Sequence, residues 1–187
     1  MASPVFHGLA GAGLAYAMAG DASLPLFASL RKALPLLMAG AALACLPDVD
    51  YLPGLWRGYL NTTHQQATHG AAWAVLAAGG LWLAGRAWKP ADFGWRAALF
   101  ILVLVGSHLA IDLATEDRLA PYGMPLWAPF SDRCVQAPFA LLPAWDKTSL
   151  ADLGSGNNLR ALGVELGAGL AFAAGCGIAK RIKTALG

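Results

Sequence analysis

Five stretches of this chain are apolar for about the length of a helix, and much of its sparse ionisable chemistry gathers at their ends. They run over about residues 4–20, 30–46, 68–88, 95–115 and 159–182. The last three are long enough to cross a hydrocarbon layer of about 30 Å at about 1.5 Å per residue. The first two are shorter and would tilt, stop below the interface, or span only with their flanks. Composition points the same way: 57% of residues are hydrophobic and 13% charged, against about 25% charged in soluble domains. The expected fold class is all-α, an integral membrane helical bundle of about five transmembrane segments. It forms a single domain over residues 1–187, with residues 116–158, rich in Pro, Trp and Gly, as a loop region over one face.

Several function classes drop out early. The net charge of +2 is small and scattered, which excludes a nucleic-acid footprint. Cys45, Cys134 and Cys176 are isolated, so neither a zinc ribbon nor a disulfide framework is expected. The N-terminus lacks the basic residues of a signal peptide and reads as the start of a first, retained helix. Small residues recur at helix-packing spacing in Gly163-x-x-x-Gly167 and Ala171-x-x-x-Gly175, where close helix approach is expected. The tryptophans read as an interfacial belt.

Counting Lys and Arg orients the bundle. If all five segments span, one face receives Arg31, Lys32, Arg86, Lys89, Arg96, Lys180, Arg181 and Lys183. The other receives Arg57, Arg118, Arg133, Lys147 and Arg160 over longer loops. The positive-inside rule makes the first face cytoplasmic. The expected location is the inner, cytoplasmic membrane, multi-pass, with the long loop on the non-cytoplasmic side.

Metal-ligating side chains cluster at the opposite end from the basic face. His7 lies near the start of the first segment, and Asp48 and Asp50 follow the end of the second. His64 and His69 flank the start of the third, while His108 and Asp112 close the fourth. In an up-down bundle these ends share a side. His108 and Asp112, four apart, fall on one helix face. Asp48 and Asp50 lie beyond Pro47, where non-helical backbone can turn both inward. His64 and His69, five apart, put His64 in the loop and His69 in the first turn. Seven ligands exceed the three or four that one zinc takes. They fit two metals, or one metal with supporting polar contacts, and the imidazole–carboxylate mixture suits Zn, Mn or Fe. Glu165, about two turns into the fifth segment, is a further buried-carboxylate candidate for the same site.

Taken together, Pro47-Asp48-Val49-Asp50-Tyr51, His64-x-x-x-Thr68-His69 and His108-Leu109-x-x-Asp112-x-x-Thr115 form an ordered signature. With Gly123, Leu126 and Pro129-Phe130-Ser131 after them, the chain resembles the YdjM-like inner-membrane metal-dependent hydrolases, some described as LexA-binding, over residues 4–133. The resemblance implies that His7, Asp48, Asp50, His64, His69, His108 and Asp112 hold metal, with Thr68, Thr115 and Ser131 as accompanying polar positions. The chain departs from the family pattern at Phe6, where Thr is usual, at Gln65-Gln66, where Arg-Gly is usual, and at Gly70, where Ser is common. The missing arginine would be a natural clamp for a phosphate or carboxylate. Arg57, Arg118 or Arg133 would have to replace it, or the substrate differs.

The function expected is metal-dependent hydrolysis of a membrane-associated, lipid-like substrate, most plausibly a lipid phosphoester, by a metal-activated water. Asp48, His69, His108 and Asp112 are the first-choice ligands. Asp50 is the candidate general base, and Arg133 or Arg57 would neutralise the developing anion. Cleavage of a lipid amide or ester, and a non-catalytic metal-binding protein that recruits a partner, are the alternatives. A metal or proton transporter ranks below them, because the cytoplasmic halves of segments three and four carry almost no polar residues.

Overall fold

A computed structural model describes residues 2–58, 66–118 and 120–186. It is all-helical, with no strand among the described residues. The α-helices are α1 (Pro4–Ala19), α2 (Leu26–Ala44), α3 (Tyr51–Trp56), α4 (Ala71–Trp88), α5 (Trp95–Leu113) and α6 (Gly156–Leu186). Short 3₁₀ turns occupy Leu46–Asp50, Ala67–His69 and Leu150–Gly154.

Three helices are long and apolar enough to cross a membrane: α2, α5 and α6. This set differs from the expected one. Helix α2 starts at Leu26, ahead of the Arg31-Lys32 pair, and continues through Pro35 to reach 19 residues. The third segment loses its start to the 3₁₀ turn Ala67–His69, which leaves 18 residues carrying Arg86 and three tryptophans.

Burial is inverted relative to a water-soluble protein. The buried apolar positions are mostly alanine, while Phe27, Met38, Leu76, Leu159, Leu170 and Ile178 face outward. His7, His69, His108, Asp112, Asn158 and Glu165 are inside. Lipid solvates leucine as well as a protein core does, whereas an ionisable group must face the bundle interior. Trp56, Trp88, Trp95 and Trp127 are exposed near helix ends or in the loop region, where a belt would put them.

Helix α1 packs against α2, α6 and α5, and α4 packs on α5. Its seam with α2 is closed by glycine: a Cβ on Gly11 would stand 2.4 Å from the Gly40 carbonyl oxygen, and one on Gly40 would stand 2.5 Å from Ala15 Cβ. On the α6 side, a Cβ on Gly13 would meet Ala173 Cα at 2.8 Å. The expected seam at Gly163, Gly167 and Gly175 is corrected here, because these three face open space. Spacing marks a smooth stripe on a helix, but helix rotation decides whether anything lies against it.

The apolar core outside the α1 seams joins Ala74 and Ala78 of α4 to Ile101, Val105 and Leu109 of α5, with Met124 of the loop region beneath them. The loop is tied to the helix ends by backbone hydrogen bonds, including Ala71 N–H to the Leu126 carbonyl (2.8 Å) and Leu141 N–H to that of Ala114 (2.7 Å). It therefore covers one end of the bundle, as expected.

Candidate metal centre

Four chain segments deliver donors to one point at that covered end. Helix α2 ends at Ala44 and runs into the turn Leu46–Asp50, with Pro47 in its first positions. A 3₁₀ turn advances about 120° per residue, so residues two apart point about 120° away from each other. Asp48 faces the centre while Asp50 stands behind it. His69 closes the turn before α4, His7 sits in the first turn of α1, and His108 and Asp112 occupy the end of α5.

The donor atoms lie at separations that could hold an ion. His69 Nε2 lies 3.2 Å from His108 Nε2. His108 Nε2 lies 3.1 Å from Asp112 Oδ2 and 3.5 Å from Asp48 Oδ1. His69 Nε2 is 3.6 Å from Asp112 Oδ2 and 3.8 Å from Asp48 Oδ1. Metal–ligand bonds of about 2.0–2.1 Å in a tetrahedron place ligand atoms about 3.3 Å apart, and these separations scatter around that value. His7, His108 and Asp112 form a second, overlapping group of possible donors that shares His108.

Tautomers follow from the acceptors. His108 Nδ1 lies 2.8 Å from the Ala44 carbonyl oxygen, which can only accept, so Nδ1 carries the proton and Nε2 the lone pair. His69 Nδ1 faces Asp50 Oδ2 at 3.2 Å, with the same consequence. Thr68 Oγ1 donates to the same Asp50 oxygen at 2.6 Å. Two imidazole lone pairs thus point at each other from 3.2 Å between two carboxylates. Only a cation or a shared proton makes that arrangement favourable, and the groups Asp48–His69–His108 and His7–His108–Asp112 could each hold a metal ion. Asp112 Oδ2 is buried without a hydrogen bond to any described residue, as are both nitrogens of His7. The residues present therefore fit a metal.

His7 stacks on His108 with ring centroids 3.8 Å apart and turns Nε2 toward Asp112 Oδ1 at 3.2 Å. The backbone N–H of Ala2 donates to that same oxygen at 3.1 Å. Burial pushes the Asp48 carboxyl up to about 6, although His108 counters it.

The other expected site residues divide. Asp50 and Thr68 are present but serve His69 from behind. Glu165 is completely buried beside the centre and is occupied elsewhere: it accepts from the Ser3 backbone at 3.0 Å, from the Ser3 hydroxyl and from Trp145 Nε1 at 2.7 Å. It fastens the start of α1 and the long loop to α6. Thr115 is not at the centre, because its hydroxyl donates to the Ile111 carbonyl at 2.9 Å. Arg57 and Arg133 are exposed on the surface. His64 and Gln65 lie outside the described residues.

Sequence reasoning missed Lys147 and the residues that place it. A cavity of about 380 Å³ opens beside Asp48, lined by Tyr51, Leu52, Leu55, Trp145, Lys147 and Leu153 among others. Burial lowers the Lys147 ammonium from its ordinary value, against the pull of the Asp112 and Asp48 carboxylates. Asn158, buried in the first turn of α6, donates to the carbonyls of Asp146 (2.9 Å) and Asp152 (2.7 Å) and accepts from Asp146 N–H (2.7 Å). These bonds pin the segment that carries Lys147. The signals available in the sequence were one lysine after Trp145 and one asparagine at a helix start, neither with any periodicity.

A family model described as YdjM inner membrane protein matches residues 1–183. No curated protein and no solved structure gives a significant match.

Proposed function

The chain belongs to the YdjM inner membrane protein family, and from that premise we propose that it is a membrane-embedded, metal-dependent hydrolase of a lipid-like substrate, with a phosphoester as the bond cleaved. The observation that carries this reading is the pair of overlapping donor groups, Asp48–His69–His108 and His7–His108–Asp112, with the Nδ1 atoms of His69 and His108 already committed. Zinc suits the set best, with Mn or Fe as the other options. When bound, such an ion lowers the pKa of a coordinated water and polarises a phosphoryl oxygen.

The chain's own residues do the rest. Asp50 and the Ala44 carbonyl hold the two imidazoles with their lone pairs inward. Thr68 orients Asp50. His7 Nε2 faces the Asp112 oxygen turned away from His69 and His108 and can hold a proton there. The loop region lies over the end of α5, bonded to it through Ala137 and Leu141, while the cavity beside Asp48 leaves an approach open. In this reading α1, α2, α4, α5 and α6 all cross the membrane, α1 and α4 with the help of their flanks. The basic ends lie in the cytoplasm and the metal centre at the non-cytoplasmic face.

The test is metal content together with turnover. Detergent-purified protein should hold about one divalent transition-metal ion per chain or more, and Asp112→Ala should lose most of it. Metal-loaded protein should release phosphate from a lipid phosphoester, and chelation should stop the release. Metal content that is negligible, or the same in Asp112→Ala, would refute the site. Metal with no turnover on any lipid phosphoester would favour the second reading, a closed structural ion.

A further inference from the structure

We infer that Lys147 and the cavity beside Asp48 form the substrate subsite, taking the anionic head of a phosphate-bearing membrane lipid while its chain leaves between α3 and the turn Leu150–Gly154. The inference rests on the hydrolase reading and adds the substrate class and the residue that selects it.

The cavity's two ends differ in chemistry. Its inner end holds Asp48, a donor of the metal centre, and Lys147. The Lys147 ammonium stands 5.9 Å from the centre of the Tyr51 ring, over its face. Asp146 also lines the cavity, and its carboxylate accepts from the Ser155 hydroxyl at 3.1 Å. Among the described residues Lys147 is the cation on the cavity wall, next to a centre where a divalent ion would offset the charges of Asp48 and Asp112. An anionic head gains a charge-assisted contact with that ammonium, which a neutral or cationic head does not make.

The outer end is leucine. Leu52 and Leu55 of α3 and Leu153 of the opposite turn line the cavity and are also exposed, at 60%, 44% and 52%. Trp56, 93% exposed, ends α3 beside them. An apolar opening flanked by an exposed tryptophan at the end of a membrane bundle is one that a lipid chain can use and a soluble phosphate has no use for. The volume, about 380 Å³, falls at the small end of ligand pockets, roughly 300–1,000 Å³. It accommodates a head group and the first part of one chain, with the remainder left in the bilayer.

Asn158 and Trp145, which anchor the long loop to α6, are then positioning residues for Lys147.

The test measures binding without turnover. Full-length protein in nanodiscs is titrated with dodecyl phosphate, dodecanol and inorganic phosphate, for wild type, Lys147→Ala, Lys147→Arg and Leu153→Glu. Dodecyl phosphate should bind wild type more tightly than either other probe. Lys147→Ala should weaken it by about tenfold or more, Lys147→Arg should restore it to within about threefold, and Leu153→Glu should weaken it while sparing inorganic phosphate. Metal content and melting temperature should match wild type in Lys147→Ala and Lys147→Arg, which separates a binding defect from misfolding. Unchanged affinity in Lys147→Ala overturns the inference, and so does inorganic phosphate binding as tightly as dodecyl phosphate. A variant that loses metal or melts early also overturns it, by making Lys147 a structural residue. Either failure in a chain that still holds metal and hydrolyses a lipid leaves the hydrolase reading standing, whereas a chain without metal removes that reading first.

Discussion

His69 shows how much of this centre is set by atoms one contact removed from the donors. Its Nδ1 must be protonated for Nε2 to serve a metal, and Asp50 provides the acceptor. Asp50→Asn should therefore lower metal affinity by about 10–100-fold without abolishing it, the usual scale for a group that orients a ligand. Competition with a metal-binding dye measures this, and an unchanged affinity would mean that Asp50 does not orient His69. Protonation supplies a second prediction. Asp48 has a folded pKa of about 6, above its ordinary 3.8, so the fold holds this proton more tightly than the unfolded chain does. The metal-free protein then loses this contribution to stability as pH rises from about 4 through 6. Metal needs the carboxylate, so affinity should fall steadily as pH drops below about 6. Calorimetric titrations at several pH values would show it, and Asp48→Asn should remove Asp48's share of the slope.

At the scale of elements, the α1–α2 seam sets how His7 of α1 stands relative to Asp48, which follows α2. Gly11→Ala would drive a methyl to 2.4 Å from the Gly40 carbonyl and should cost about 1–3 kcal/mol, with loss of metal as the ends separate. Gly167→Ala places its methyl in open space on α6 and should be neutral or stabilise by up to about 1 kcal/mol. Unfolding midpoints in detergent compare the two, and equal effects would mean that the seam is not where the glycines place it. Both positions looked alike in the sequence as small residues on apolar helices. The difference lies in rotation about the helix axis, which a glycine cannot encode by itself.

For the molecule as a whole, the prediction is orientation. Single cysteines introduced at Ser131 and at Lys89, in a background lacking Cys45, Cys134 and Cys176, should react from opposite sides of the membrane. Ser131 should react with an impermeant thiol reagent added outside the cell, and Lys89 only after permeabilisation. Labelling of both positions from one side would mean that α5, the span between them, does not cross as proposed.

Much of this was legible along the chain. A run of apolar residues fixes where a helix can lie in lipid, and the ends of successive helices alternate sides. His7, Asp48, His69, His108 and Asp112 could therefore be assigned to one end of the bundle before any coordinates. Which of the polar residues face the centre was not legible. The 3₁₀ turn after Pro47 sends Asp48 and Asp50 in different directions, and Thr115 turns back on Ile111. Glu165 is used to hold Ser3 and Trp145. Lys147 was beyond reach, because a loop returns to its bundle through single hydrogen bonds such as those of Asn158, and these follow no period. The sequence by itself determined the membrane-type composition, the helices and the height of the ionisable residues along the bundle, since hydropathy and helical rise act locally. Only the tertiary structure decided the rotation of each helix, the donors that converge and the cation beside them, because packing between distant segments sets direction where local chemistry sets only position.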